Sequence, residues 1–189
     1  MLLAILTTLL SLQTYRVRLE TTKGPLVIEV VPSWAPRAAE RFRELVRTGY
    51  YDDSRFFRVT SRWAQFGISG NPRLAQKRRH STFPDEEPGE RTSNLRGTVA
   101  FAFAVPNGRS TQVFINLADN RRLDAEGFVP FGRVVEGMDV ADALYSGYGE
   151  SSGGGIRGGR QDPLFSGGNA WLDEHFPLLD ALLRARILP

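Results

Sequence analysis

The chain contains no cysteine and only two histidines, His80 and His175. The absence of cysteine excludes disulfides, thiolate catalysis and cysteine-based metal sites. The two histidines are far apart and have no obvious partners, which argues against a zinc site or a serine–histidine triad. The sequence therefore predicts no metal site, and its chemistry has to come from side chains other than cysteine and histidine.

The chain also lacks an apolar run of membrane-spanning length. Residues 1–12 (MLLAILTTLLSL) are apolar, but they are too few to cross a bilayer as a helix. They have the length of a signal-peptide core, although no Lys or Arg precedes them and no clear cleavage site follows before Gln13. A start codon assigned too far downstream would give the same appearance by removing a basic region.

We therefore treat residues 1–13 as an apolar N-terminal segment and a candidate signal peptide, and residues 14–189 as a single domain. Stable membrane insertion is not expected. A signal at residues 1–13 predicts export to the cell envelope or periplasm, whereas a chain without one would be cytoplasmic.

Strong charge of either sign is absent as well. The formal net charge is +3, and the one dense basic run is Lys77-Arg78-Arg79-His80, in a stretch that has the composition of a loop. Such a run is usually a solvated surface, and no nucleic-acid recognition motif accompanies it. We expect no nucleic-acid binding. A basic β-barrel that binds nucleic acid or an acidic partner through this run stays as the weakest alternative.

The patterns that are present indicate a β-rich domain with one clear helix. Nineteen glycines and eleven prolines imply many turns. Polar and apolar residues alternate over residues 15–21, and with residues 26–31 they predict an antiparallel hairpin. Pro36 begins an amphipathic helix over residues 36–48, and Gly49 caps its C-terminus.

Further short apolar segments predict the rest of a sheet. Strands are expected at residues 56–60, 63–68, 97–103, 111–116, 131–135 and 182–188, a short helix at 137–143, a long irregular excursion at 69–96, and a Gly- and Ser-rich surface loop at 146–168. Many short strands with few helices favour a mainly β fold, a closed antiparallel β-barrel capped by two α-helices. Closure removes exposed strand edges.

One arginine lies among aromatic residues. Arg58 stands in the strand Phe56-Phe57-Arg58-Val59, and the segment Trp63-Ala64-Gln65-Phe66-Gly67 follows shortly after it. Arginine is rarely buried unless it is paired. Taken alone, this arginine is better explained as an edge-strand residue whose stem covers apolar surface.

Three ordered segments change that interpretation: residues 56–67, residues 101–114 with their Pro-Asn turn and Thr-Gln-Val-Phe, and residues 123–139. Their order and spacing resemble the cyclophilin family of peptidyl-prolyl cis-trans isomerases, most closely a bacterial branch. The resemblance runs from residue 15 to the C-terminus. It implies an eight-stranded antiparallel barrel with a helix at each end, and rotation about X–Pro amide bonds without a cofactor.

The resemblance also implies a site. Arg58 stands at the catalytic arginine position and Gln112 at that of the glutamine that contacts the substrate backbone. The implied substrate-binding residues are Trp63, Gln65, Ala102, Phe103, Ala104, Phe114, Leu123 and Phe128. Among them Trp63, Phe114 and Leu123 would form the proline pocket, while residues 102–104 would pair with the peptide. Taken singly, the three pocket residues are better explained as barrel core, and only the family pattern favours the pocket.

Several positions depart from the family pattern. Phe57 and Phe128 stand where histidines are common, and Ser61-Arg62 replaces the usual Pro-Gly turn. The interval between Arg58 and Gln65 is one residue short. If the turn does not absorb this deletion, strand parity puts Phe66 in the site instead of Gln65. Arg122 replaces a tryptophan tied to cyclosporin binding, so weak cyclosporin affinity is expected.

Three hypotheses follow. The first is a monomeric isomerase that acts on X–Pro bonds of proline-containing polypeptides and assists folding. The second is a peptide-binding or chaperone module of the same fold with little turnover, which the altered turn between Arg58 and Gln65 favours. The third is the basic nucleic-acid or acidic-partner binder described above.

Overall fold

The computed structural model describes residues 13–86, 92–153 and 160–189. The predictions for residues 1–12 lie outside this part of the chain. The strands are β1 (Tyr15–Thr21), β2 (Gly24–Val30), β3 (Ser54–Arg55), β4 (Arg58–Val59), β5 (Trp63–Phe66), β6 (Thr98–Phe101), β7 (Val113–Asn116), β8 (Pro130–Glu136) and β9 (Ala181–Ile187). The helices are α1 (Pro36–Arg47), α2 (Pro72–Arg79), α3 (Arg122–Ala125), α4 (Met138–Asp142) and α5 (Asp162–His175).

The predicted N-terminal hairpin is present as β1 and β2. Val17 and Leu19 are fully buried. Arg16 and Arg18, which alternate with them along the strand, are exposed, as the pattern requires. The two strands pair antiparallel along their whole length. Strand β9 pairs with the other edge of β1, which confirms the predicted closing strand near the C-terminus.

All strand pairs are antiparallel, in the order β3-β9-β1-β2-β8-β6-β7-β5-β4. The two outermost strands, β3 and β4, are separated in sequence only by Phe56 and Phe57. The chain itself therefore crosses from one end of the sheet to the other. Counted as one interrupted strand, β3 and β4 give the predicted eight strands. The barrel is closed there by covalent chain and not by a hydrogen-bonded ladder, so closure is approximate.

The predicted first helix covers one side of the sheet. Helix α1 begins at Pro36 and is followed by Gly49 with φ +67°, as the capping pattern predicts. Its buried side chains include Phe42, whose ring centroid lies 5.6 Å from that of Tyr51 and 5.0 Å from that of Phe131. These aromatic contacts link the helix to the interior of the barrel.

The prediction of an irregular segment over residues 69–96 is wrong in part, because helix α2 lies within it. Asn71 caps the helix by accepting hydrogen bonds from the backbone N–H groups of Arg73 and Leu74. The basic run Lys77-Arg78-Arg79 forms the last turn of α2, where cations favour the helix dipole. Only Ala75 is buried, so the apolar stripe was too thin to indicate a helix.

The prediction of a surface loop over residues 146–168 is also wrong at its end. Helix α5 begins at Asp162, and its Leu164 and Phe165 are buried with Phe57 in a second apolar cluster. Gly168, at φ +57°, kinks this helix, and a Cβ there would lie 2.2 Å from the carbonyl oxygen of Gly70. The close approach requires glycine, and glycine obscures the helical pattern in the sequence.

The sequence predicted two helices that cap the barrel, but the described residues include three of eight residues or more. These are α1, α2 and α5, with 12, 8 and 14 residues. The short helix α4 confirms the prediction for residues 137–143. Within the three described ranges, no helix is long and apolar enough to cross a membrane.

Two carboxylates tie helices and loops to the sheet. Asp52 accepts hydrogen bonds from the Arg186 guanidinium at 2.7 and 2.9 Å, and Asp142 accepts two from Arg96 at 2.9 and 2.5 Å. Burial raises the pKa of Asp52, but the hydrogen bonds from Arg186 and the backbone of Ala185 outweigh it, and the pKa is lowered. The hydrogen bond from Arg96 lowers the pKa of Asp142.

These pKa shifts predict a loss of stability in acid. A carboxyl whose pKa is lower in the folded state binds fewer protons when folded, so its contribution is present above the ordinary value of 3.8 and is lost as the pH falls through the folded value. We expect the free energy of unfolding, measured in urea, to fall as the pH drops below about 4. The variant Asp142→Asn should show a shallower fall, and an unchanged slope would contradict the assignment.

Candidate active site

Arg58 and Gln65 lie directly opposite each other across the β4–β5 hairpin. The turn between the two strands is tight: the backbone N–H of Thr60 donates to the carbonyl of Trp63 at 2.9 Å. Because residues opposite each other in an antiparallel pair share a face, Gln65 faces the same side as Arg58. Phe66 points into the barrel core and is fully buried. The turn therefore absorbs the missing residue, and the alternative with Phe66 in the site is excluded.

A chain of side-chain amides runs inward from Arg58. Its Nη1 donates to Gln65 Oε1 at 3.0 Å, and Gln65 Nε2 donates to Gln112 Oε1 at 2.8 Å. Gln112 Nε2 then donates to Gln161 Oε1, and Gln161 Nε2 to the carbonyl of Gly153, both at 2.8 Å. Guanidinium only donates and a carbonyl only accepts, so the two ends together set the orientation of every amide between them.

An apolar pocket of about 260 Å³ opens beside Arg58. It is lined by Arg58, Trp63, Gln65, Ala102, Phe103, Phe114, Arg122, Leu123, Glu126 and Phe128. Phe114 and Leu123 are both 5% exposed and form a small apolar cluster with Ala100. The pocket is of the size that takes one compact apolar group, with polar side chains at its rim.

The ring of Phe128 supports the pocket wall from two sides. Its centroid lies 4.4 Å from that of Phe103 and 5.7 Å from that of Phe114. The Arg109 guanidinium in turn stacks 3.9 Å from the Phe103 ring centroid. The sequence suggested that Phe103 would act through its backbone, but in the structure Phe103 is a lining residue of the pocket.

The segment that carries Phe128 is held by a polar clamp between Asp124 and the buried Asn94. Asp124 Oδ1 accepts from the backbone N–H and the Nδ2 of Asn94 at 2.9 and 2.7 Å, and Asn94 Nδ2 also donates to the Phe128 carbonyl at 2.7 Å. Burial raises the pKa of Asp124, but hydrogen bonds from Ser93 and Asn94 outweigh it and lower the pKa. The carboxylate form is therefore the one that the fold holds in place.

Two of the predicted site residues do not line the pocket. Gln112 is 4% exposed and lies behind Gln65, to which it is hydrogen-bonded. Ala104 lies beyond the end of strand β6, which stops at Phe101. The backbone N–H of Ala102 donates to the carbonyl of Gln112 at 2.9 Å, so this stretch still continues along β7.

Sequence reasoning missed two residues that contact this network. Glu150 forms a bidentate ion pair with Arg58, and Gln161 terminates the amide chain. Glu150 follows a Gly- and Ser-rich stretch and Gln161 precedes a glycine-rich helix, so neither belongs to a recognisable pattern. Their position in the three-dimensional structure is the only signal for them.

Arg58 and the apolar walls of the pocket offer hydrogen bonding and apolar contact. Within the described ranges, no group of His, Asp and Glu residues is arranged to hold a metal ion. Arg58 is a permanent cation, and its guanidinium carbon lies 4.8 Å from the Trp63 ring centroid. A cationic donor beside an apolar pocket can bind an apolar ring and stabilise a developing lone pair near it.

Comparison with known proteins agrees with the geometry. The family model for cyclophilin type peptidyl-prolyl cis-trans isomerase/CLD matches residues 16–156. A peptidyl-prolyl cis-trans isomerase of Arabidopsis thaliana is 36% identical over 132 residues, which is 69% of this chain and 80% of that protein. One of Streptomyces antibioticus is 36% identical over 137 residues, covering 68% of this chain and 81% of that protein.

Solved structures show the same fold. A cyclophilin type peptidyl-prolyl cis-trans isomerase of Cryptosporidium parvum superposes with a TM-score of 0.67 at 21% identity, covering 94% of this chain and 99% of that chain. A second structure of the Cryptosporidium parvum protein, in the presence of the dipeptide Ala-Pro, gives a TM-score of 0.63 at 22% identity, covering 94% of this chain and 99% of that chain. The match of the family model to residues 16–156, together with these relatives, shows that the chain belongs to the cyclophilin-type peptidyl-prolyl cis-trans isomerase family.

Proposed function

We propose that this protein catalyses cis-trans rotation about X–Pro bonds in polypeptides, with Arg58 as the catalytic residue. The observation that carries the proposal is the position of the Arg58 guanidinium at the rim of an apolar pocket. Three of its five N–H groups are engaged by Glu150 and Gln65. The remaining N–H bonds of Nη1 and Nη2 are available to a substrate.

The reaction needs no nucleophile and no proton transfer to a titrating group. Rotation about an amide has a barrier of about 18–20 kcal/mol because the planar form is stabilised by resonance. In the twisted form the prolyl nitrogen regains its lone pair and becomes a hydrogen-bond acceptor. A donor aimed at this nitrogen binds the twisted form better than either planar isomer, and only such differential binding accelerates the reaction.

The apolar walls supply the affinity for substrate. We assign the proline ring to the space between Phe114, Leu123 and Phe128, with Trp63 beside Arg58 at the rim. The Ala-Pro dipeptide named for the Cryptosporidium parvum relative supports a proline-containing ligand. Gln65 accepts a hydrogen bond from the guanidinium, and Gln112 accepts one from Gln65. Gln112 therefore serves the reaction by positioning Gln65 and Arg58, and not by contact with substrate.

The direct test is an isomerisation assay on a short X–Pro peptide, coupled to a protease that cleaves only the trans isomer. We expect the protein to accelerate the slow phase. The variant Phe114→Ala should raise KM about 10- to 100-fold, because it removes apolar contact with the ring. Phe165→Ala is the matched control. Phe165 is 3% exposed and Phe114 is 5% exposed, but Phe165 lies in the second apolar cluster, with Phe57 and Leu164.

Two results of this assay would contradict the proposed function. If the wild type bound the peptide saturably but did not accelerate its isomerisation, the protein would be a binding module of the same fold. The turn between Arg58 and Gln65, which suggested that alternative, is closed and in register. If KM were unchanged in Phe114→Ala, the proline ring would bind elsewhere.

The remaining parts of the proposal are the partners, the lineage and the location. We propose proline-containing polypeptides as partners of a monomeric enzyme that assists folding. The relatives come from plants, fungi and bacteria, so the bacterial branch stays a prediction. Export through residues 1–13 and weak cyclosporin affinity, the latter from Arg122, stay predictions as well.

A further inference from the structure

The Arg58 side chain is held by the carboxylate of Glu150, which lies in a turn region after helix α4. Glu150 Oε2 accepts from Arg58 Nε at 2.8 Å, and Glu150 Oε1 accepts from Arg58 Nη2, also at 2.8 Å. This is the parallel, two-bond geometry in which guanidinium and carboxylate interact most strongly. The two residues are 92 positions apart in the sequence.

The segment that carries Glu150 is anchored to the strand of Arg58. Ser152 Oγ donates to the carbonyl of Phe57 at 2.7 Å. A Cβ at Gly153 would lie 2.5 Å from the Phe57 ring, so glycine lets the backbone pass directly over that residue. The Gly153 carbonyl accepts the last hydrogen bond of the amide chain. These contacts hold Glu150 at a set position relative to Arg58.

The hydrogen bonds of Arg58 leave two N–H bonds of the guanidinium for substrate. Glu150 occupies the edge formed by Nε and Nη2, and Gln65 accepts one N–H of Nη1. One N–H of Nη1 and one N–H of Nη2 remain. A free arginine side chain samples many rotamers and loses that freedom when it is fixed. Because two partners hold it before substrate arrives, less of this freedom is lost in the reaction.

We infer that Glu150 is a positioning residue for Arg58, and this inference rests on the proposed function. Glu150 is not among the residues that line the pocket, so its effect reaches the substrate only through the orientation of the guanidinium. Removal of Glu150 should therefore lower kcat more than it changes KM. The fold itself should be little affected, because the Glu150 side chain is 50% exposed.

The test compares kcat, KM and Tm of the wild type with those of Glu150→Ala and Glu150→Gln. We expect kcat to fall about tenfold in both, because an amide cannot accept both guanidinium bonds and a loosely held donor is misplaced in the transition state. KM should stay within about twofold and Tm within about 3 °C. Glu150→Asp keeps both acceptor oxygens and should recover part of the lost kcat.

The chain offers a matched control in the ion pair between Arg55 of strand β3 and Asp173 of helix α5. Asp173 forms the same bidentate pair with Arg55, at 3.1 Å for both bonds, and its side chain is 56% exposed. This pair lies outside the pocket. Asp173→Ala therefore removes an equivalent ion pair, and we expect kcat to remain unchanged in this variant.

A double-mutant cycle separates positioning from a structural role. In the Arg58→Ala background, Glu150→Ala should have no further effect on kcat, because there is no guanidinium left to orient. An equal loss in both backgrounds would overturn the inference, as would an unchanged or raised kcat in Glu150→Ala of an active enzyme. A wild-type protein without isomerase activity would instead refute the proposed function, and this inference with it.

Discussion

Replacement of Arg58 by alanine is expected to lower kcat/KM for an X–Pro peptide by about 100- to 1,000-fold, the range found when one donor to a developing charge is removed in a water-poor site. The reason is that the pocket walls are apolar, and the neighbouring amide Gln65 already spends its hydrogen bonds on Arg58 and Gln112. Arg122 also lines the pocket, but Arg58 is the guanidinium that Gln65 and Glu150 hold in place. The isomerisation assay described above measures the effect directly.

Two controls make this prediction specific. Arg58→Lys keeps the charge but not the two-edge geometry, and we expect it to recover only part of the activity. Arg55→Ala removes the arginine of strand β3, which precedes β4 in the sequence, and breaks its ion pair with Asp173. This variant should leave kcat/KM unchanged. If Arg58→Ala retained wild-type activity with an unchanged Tm, the catalytic role of Arg58 would be wrong.

The largest effect on stability is expected from Phe66→Ala. Phe66 is fully buried, and its ring centroid lies 5.3 Å from that of Phe56 and 5.4 Å from that of Tyr51. Truncation removes these contacts and leaves a cavity in a tightly packed interior. We expect a loss of about 3–5 kcal/mol in the free energy of unfolding, measured in urea, and a Tm lower by roughly 6–20 °C.

The matched variants are Phe66→Leu and Phe103→Ala. The first leaves a smaller cavity and should lose less stability, since the cost rises with the residual volume. The second removes a ring that is only partly buried in the pocket wall, and it should cost less than Phe66→Ala. A small effect of Phe66→Ala would mean that Phe66 faces solvent or the site. The register of β5, in which Gln65 lies opposite Arg58, would then be wrong.

Local patterns in the sequence predict those elements whose residues repeat at a clear period. Helix α1 has an apolar stripe, a proline at its first position and a glycine after its end, and its bounds agree with the prediction to one residue. Strand β1 likewise follows from alternation, whereas the alternation over β9 is imperfect. Helices α2 and α5 lack such a stripe, because α2 buries only Ala75 and α5 contains adjacent glycines. Their helical state is decided by packing against each other and against Phe57.

The site shows the same division. Resemblance in sequence order identifies Arg58 and the pocket residues Phe114, Leu123 and Phe128, and the structure brings all four to one pocket. It does not show which side of β5 carries Gln65. That depends on how the shortened turn is closed, and closure depends on backbone hydrogen bonds at the turn.

The sequence by itself determined the class of the fold, the absence of cysteine chemistry, and the arginine and apolar residues on which the proposed reaction depends. Only the tertiary structure decided that Gln65 faces the pocket, that Gln112 stands behind it, and that Glu150 and Gln161 complete the network. The physical reason is sequence separation: Arg58 and Glu150 are 92 residues apart and Gln112 and Gln161 are 49 apart. Contacts of that kind depend on the path of the whole intervening chain, and no local pattern records them.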